Sequence, residues 1–228
     1  RYFDPKVFAL LETNPELLEV SSHTVTIGFW DVRGFSLLCE ILKAHPTLIS
    51  GFLRDYSAVA AEVIFEHGGV LDKFMGDGVM AIFGALNHKG DEGRLDAVAA
   101  VSAALVLKDR FAKLLEGWLE QWRLYTPQEI DIGLACGIHT GEALVGNVGT
   151  EIRDQYTALG PHANFAQRVE ARAGEDHILI SSSTEARVRS HFVLEEADVV
   201  DDVKNIPGEF RLYSVVSFAL RQATGQAS

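Results

Sequence analysis

The sequence predicts an α+β domain with a mainly antiparallel sheet. Three observations carry that expectation. A run of β-formers at 24–30 is followed by two helix-like stretches. Two short apolar runs meet at Gly76-Asp77-Gly78, a hairpin signal. A long amphipathic stretch ending near Trp122 then leads into a further strand-like run. The resulting order is β-α-α-β-β-α-β, followed by C-terminal β-α-β additions, with the helices expected on one face.

Each element has its own signal. Residues 24–30 (Thr-Val-Thr-Ile-Gly-Phe-Trp) read as a buried strand ending at Asp31, and Gly34 supplies a turn. A short helix is expected over 35–43, and Pro46 interrupts it. A second helix over 47–67 places Ile49, Phe52, Leu53, Tyr56, Val59, Ala60, Val63 and Ile64 at helical spacing, and Gly68-Gly69 stops it. Strands follow at 70–75 and 79–83. A polar loop, 87–93, precedes the long helix, and Tyr125-Thr126-Pro127 breaks the chain after it. Residues 130–139 read as a strand, with Gly141, Gly146 and Gly149 punctuating what comes next. A strand before Gly160-Pro161 leads to a helix with Pro161 at its first position, running to about Ala173. Strands at 177–181, 192–200 and 210–216 and a helix at 184–188 complete the pattern. Residues 1–22 read as a linker from an upstream module, 23–217 as one domain and 218–228 as a disordered polar tail. The chain starts at Arg1 rather than Met, as expected of part of a longer protein.

Composition narrows the function classes. The 228 residues carry a formal net charge of −12, which argues against a protein that coats nucleic acid, although a small anion needs only local positive charge. Cys39 and Cys136 sit among apolar neighbours without metal-binding spacing and read as reduced core thiols, which fits a cytoplasmic setting. No apolar run approaches the roughly 18–20 residues that span a bilayer, so no membrane contact is expected from this stretch; tethering through segments outside it stays open.

Two carboxylates stand out. Asp31 is expected where a strand ends beside the amides of residues 32–35, a setting that suits phosphate and metal together, or a simple helix cap. Asp77 is expected at a hairpin tip. Together they could brace two divalent metal ions.

Longer segments around them resemble a known family. Phe29-Trp30-Asp31-Val32-Arg33-Gly34-Phe35-Ser36 and the stretch 72–84 (Asp-Lys-Phe-Met-Gly-Asp-Gly-Val-Met-Ala-Ile-Phe-Gly) are similar to the metal-binding half of class III adenylate and guanylate cyclases. Residues 137–149 resemble that family's glycine-punctuated strand pair. Tyr156-Thr157-Ala158-Leu159-Gly160, with Asn164 and Arg168, resembles its substrate segment. The resemblance covers roughly 20–216 and implies a ferredoxin-like, palm-type core.

It also implies roles. Asp31 and Asp77 would bind two divalent ions, Mg2+ or Mn2+. Lys73 and Thr157 would read the base, a pairing found in bacterial adenylate cyclases. Asn164 would orient the ribose, and Arg168 would stabilise charge at the α-phosphate. Val32, Arg33, Gly34 and Phe35 would lie against the substrate, and Arg153 and Lys204 near its triphosphate tail. The implied activity is ATP to 3′,5′-cyclic AMP and pyrophosphate in a head-to-tail homodimer, under an upstream regulatory domain. Asn164 and Arg168, four apart on an expected helix, would share a face. Lys73 is expected to alternate with Leu71 and Met75 among apolar side chains. Pro161 and Asn205 depart from the family pattern, which has an acidic residue and a glycine there. A guanylate cyclase and a degenerate cyclase-like dimerisation module are the alternatives. A diguanylate cyclase would need a Gly-Gly-Asp/Glu-Glu-Phe signature, and a P-loop NTPase a GxxxxGK[ST] loop; neither is present.

Overall fold

The computed structural model describes residues 8, 12–86, 93–148, 155–200, 206 and 210–219. The expected positions Arg153, Lys204 and Asn205, the loop 87–92, most of the lead-in and the tail after 219 lie outside them. Thirteen elements follow a short 3-10 turn: β1 (Ser21–Arg33), α1 (Phe35–Ile41), α2 (Pro46–Glu66), β2 (Val70–Met75), β3 (Gly78–Phe83), α3 (Arg94–Trp122), β4 (Gly133–Asn147), β5 (Tyr156–Leu159), α4 (Pro161–Glu170), β6 (Ile178–Ser181), α5 (Ser182–Val188), β7 (Phe192–Val200) and β8 (Phe210–Phe218).

The strand order is β2-β3-β1-β4-β6-β8-β7, with β5 also paired to β4. Only β4–β6 is parallel among the described pairs, so the mainly antiparallel expectation holds. The first seven elements of the core form the β-α-α-β-β-α-β unit, with its strands in the order β2-β3-β1-β4.

Alternation along β1 sorts its side chains between two layers. Trp30 and Val32 enter a core with Phe52, Tyr56, Leu107, Phe111 and Trp122 from α2 and α3. Val25, Ile27 and Phe29 face the other way, with Ala163 and Ala166 of α4. The helices therefore cover both faces, not one: α4 occupies the side opposite α2 and α3.

Two glycines explain how α4 comes so close. A Cβ at Gly137 would collide with the backbone of Val169 and Glu170, and one at Gly141 with the His162 ring. Gly137 was expected inside a strand ending at 139, and Gly141 was expected to punctuate the segment after it. Instead β4 runs unbroken for 15 residues, and its glycines mark the close approach of a helix. Gly137→Ala should destabilise the fold by about 3 kcal/mol, because the obstructing atoms are backbone and cannot rotate away. Urea denaturation of the two proteins would measure it.

Candidate functional site

β1 extends past its expected end. Asp31 lies inside the strand, in register with Ala135, rather than at its terminus. It does not cap α1, whose N-cap is Gly34 at φ +82° with no side-chain hydrogen bond. The Asp31 carboxylate instead meets the Arg33 guanidinium at 2.6 Å.

The β2–β3 hairpin closes as expected, Met75 opposite Gly78, with Gly76 at φ +69° in the turn. Because Trp30 pairs with Val79, the hairpin tip reaches the end of β1 that carries Asp31. The Asp77 carboxylate accepts hydrogen bonds from its own backbone N–H and from that of Val32. Burial pushes the Asp77 carboxyl up, and the negative charge of Asp31 adds to the shift; those backbone bonds and Arg33 oppose it. The two carboxylates thus lie close enough to feel each other's charge. Among the described residues no larger His/Cys/Asp/Glu cluster suited to a metal is present.

Arg33 is held by groups of its own chain. Its guanidinium lies 2.7 Å from a Glu170 carboxylate oxygen and donates to the backbone carbonyls of Glu170 (2.8 Å) and Ala173 (3.1 and 3.2 Å). It therefore ties Asp31 to the C-terminal end of α4, where a cation complements the exposed carbonyls. Burial raises the Glu170 carboxyl; Arg33 lowers it, and Asp31 and Asp77 raise it further. Of the other expected contacts, the Val32 side chain is buried in the core and Phe35 packs against it. Any substrate contact at Val32 would come through its backbone. Gly34 packs so closely on the Asp131 carbonyl that no Cβ would fit.

Pro161 occupies the first turn of α4, as expected. Asn164 and Arg168 are exposed while Ala163, Phe165, Ala166 and Val169 are buried, so the two polar residues share the outer face. Among the described residues Arg168 makes no ion pair.

Lys73 and Thr157 are brought together by a residue whose role the sequence reading missed. A β-bulge at Asp72 breaks the alternation between Leu71 and Lys73. Lys73 stands opposite Met80 of β3, and its Nζ is 3.5 Å from Asp72 Oδ1, with the side chain 36% exposed. The Asp72 carboxylate is fully buried and accepts from Thr157 Oγ1 (2.5 Å) and Gln155 Nε2 (3.1 Å). The available signal was an Asp-Lys pair set into an apolar strand.

At the other end of α4, His139 is 1% exposed. Its Nδ1 is 2.7 Å from Ser181 Oγ, and its Nε2 is 2.7 Å from His162 Nδ1. Burial, reinforced by His162 and Arg187, pushes His139 down to about 3; burial also lowers His162, with Glu142 opposing. The unfolded chain then binds more protons than the fold between about pH 3 and 6.5. This contribution is complete above pH 6.5 and is lost as pH falls through that window. At pH 5 the loss from His139 should be about 2 kcal/mol. His139→Gln should flatten the pH dependence of unfolding free energy between pH 7 and 5. An unchanged slope would contradict this origin.

The matched family is described as "Adenylate and Guanylate cyclase catalytic domain", and its model covers residues 18–216. The chain belongs to this class III nucleotidyl cyclase family. The cyclase domain is 33% identical over 157 residues to an adenylate cyclase of Anabaena cylindrica, which covers 69% of this chain and 29% of that protein. It thus spans less than a third of that relative's length. Among solved structures, the adenylyl cyclase CyaB from P. aeruginosa is 31% identical, with a TM-score of 0.76 over 90% of this chain and 98% of that one. The guanylyl cyclase Cya2 is 27% identical, also with a TM-score of 0.76, over 90% and 97%. Both adenylyl and guanylyl cyclases therefore stand among its relatives. The two cysteines are free thiols, Cys136 buried and Cys39 partly so. No described helix is long and apolar enough to cross a membrane.

Proposed function

We propose that this domain is an adenylate cyclase, converting ATP to 3′,5′-cyclic AMP and pyrophosphate at sites shared between two copies of the chain. The observation that carries the base preference is the joining of Lys73 and Thr157 through Asp72, which sets a donor and a hydroxyl side by side.

The ribose 3′-oxygen attacks the α-phosphorus, the bond to the bridging oxygen of pyrophosphate breaks, and the hydroxyl proton leaves to solvent. Asp31 and Asp77 are hard oxygen donors. Burial, with the Asp31 charge added, disfavours the ionised Asp77 carboxyl, and a divalent cation would stabilise that form, so the pair fits two ions, Mg2+ or Mn2+. Such ions would acidify the 3′-hydroxyl and neutralise the phosphates. Arg168 stabilises the charge that builds at the α-phosphate, and Asn164 orients the ribose. Arg153 and Lys204 are assigned to the triphosphate.

The homodimer reading is supported by the exposed Arg168, which makes no ion pair among the described residues, and by apolar side chains left in solvent. Leu144 and Leu159, register partners on β4 and β5, are 48% and 42% exposed, and Phe74 and Met75 at the end of β2 are 39% and 41% exposed. One protomer would supply Asp31 and Asp77, and the other Lys73, Thr157, Asn164 and Arg168.

The test is product analysis of the purified domain with ATP, GTP, CTP and UTP over a range of protein concentrations, with Mg2+ and with Mn2+. Cyclic AMP as the main product, with specific activity rising as dimers form, is expected. Cyclic GMP as the main product would transfer the reading to a guanylate cyclase, which the 27% identity to Cya2 keeps in view. A verified dimer inactive with every nucleotide would indicate a degenerate module.

A further inference from the structure

We infer that Asp72 is a specificity-determining residue: it fixes the hydrogen-bond polarity of Thr157, so that the base site accepts a 6-aminopurine and rejects a 6-oxopurine. The inference rests on the cyclase reading above and deepens it.

Thr157 and Lys73 by themselves discriminate weakly. A hydroxyl has one proton and two lone pairs and rotates to donate or accept as its neighbour requires. An ammonium group only donates, and finds an acceptor on either purine: N1 of adenine, or O6 of guanine. A freely rotating threonine beside a lysine would therefore tolerate both bases.

The bulge at Asp72 removes that freedom. It turns the carboxylate inward between β2 and β5, where it is completely buried and faces three donors: Thr157 Oγ1, Gln155 Nε2 and Lys73 Nζ. A carboxylate so surrounded accepts only, so the single Thr157 proton is committed to Asp72 Oδ2. Thr157 is itself only 3% exposed, which restrains the hydroxyl to this acceptor. Toward a base it can then offer only lone pairs. Lys73, 3.5 Å from the other carboxylate oxygen, keeps protons to offer.

The two groups thus present an acceptor beside a donor. Adenine complements them with its 6-amino group and N1. A 6-oxopurine would set O6 against the Thr157 lone pairs and its N1–H against the ammonium, leaving both polar pairs mismatched and desolvated. The second function of Asp72, joining β5 to the bulged strand, would affect every substrate alike.

The experiment compares kcat/KM for ATP and for inosine triphosphate, which carries the 6-oxo group without guanine's 2-amino group. It uses dimeric wild type, Asp72→Asn, Thr157→Val and the double variant. An asparagine can offer N–H to Thr157 and release the hydroxyl proton toward O6. Asp72→Asn should therefore lower the ATP-to-inosine-triphosphate ratio roughly tenfold or more. Thr157→Val should lower it too, and in that background Asp72→Asn should have no further effect on the ratio. If Asp72→Asn does not fold, Thr157→Val carries the test. An unchanged ratio in the folded variants, with both substrates slowed equally, would overturn the inference and leave Asp72 a strand tie. A wild-type dimer that cyclises neither nucleotide would overturn the cyclase reading, and this inference with it.

Discussion

Asp77→Asn should lower cyclic-nucleotide formation by at least about a hundredfold while leaving the fold at least as stable as wild type. Changes to residues that merely support a metal ligand cost about ten- to a hundredfold, so loss of a ligand should cost more. The stability half follows from the local electrostatics. Burial and the Asp31 charge raise the Asp77 carboxyl, which means that its ionised form is disfavoured in the fold. A neutral amide removes that repulsion and can still accept the Val32 N–H bond. Steady-state product formation, read beside thermal unfolding, would check both halves. Activity close to wild type would remove Asp77 from the site. A large loss of stability would make it a structural turn residue.

Arg168→Ala should reduce kcat by about a hundred- to a thousandfold, the scale for removing one preorganised donor to transition-state charge. Stability should change by no more than about 0.5 kcal/mol, because the side chain is exposed on the outer face of α4. Arg168→Lys should restore only part of the rate, since an ammonium cannot reproduce the guanidinium fork. The effect should fall mainly on kcat, because an interaction made in the transition state does not hold the ground state. A change confined to KM would assign Arg168 to ground-state phosphate binding instead. Together the two variants separate the acidic half of the site from the basic half.

Much of this arrangement was legible in the sequence because local signals agreed with the tertiary structure. The apolar run before Asp31, the Gly76-Asp77-Gly78 turn and the helical spacing from Ile49 to Ile64 each specify an element that forms as expected. Pro161 likewise opens α4, and Asn164 and Arg168 share its exposed face. What stayed hidden depended on partners distant along the chain. Gly141 read as a break, and Gly137 as an ordinary strand position, because nothing local reveals that α4 will lie against them. For the same reason α4 could not be assigned to the face opposite α2 and α3. Arg33 was expected against the substrate; its carbonyl partners at Glu170 and Ala173 lie 137 and 140 residues away. Asp72 was hidden by strand alternation itself. A single bulge changes which side chain faces inward, so that the Asp72 carboxylate is buried while Lys73 stays partly exposed.

The same geometry bears on how the two halves of a shared site would be coordinated. Arg33 links Asp31, on the acidic side, to the end of the helix that presents Arg168. Within one chain those residues would serve different active sites of the dimer.

The central claim is that each active site takes its carboxylates from one copy and its arginine from the other. Mixing Asp31→Ala protein with Arg168→Ala protein tests it most directly. Each variant alone should be nearly inactive. In the mixture, half of the dimers formed by random exchange should be heterodimers, each with one intact site, so activity should return to about a quarter of the wild-type value per chain. A mixture that stays as inactive as its components, with heterodimers verified to be present, would contradict the shared site.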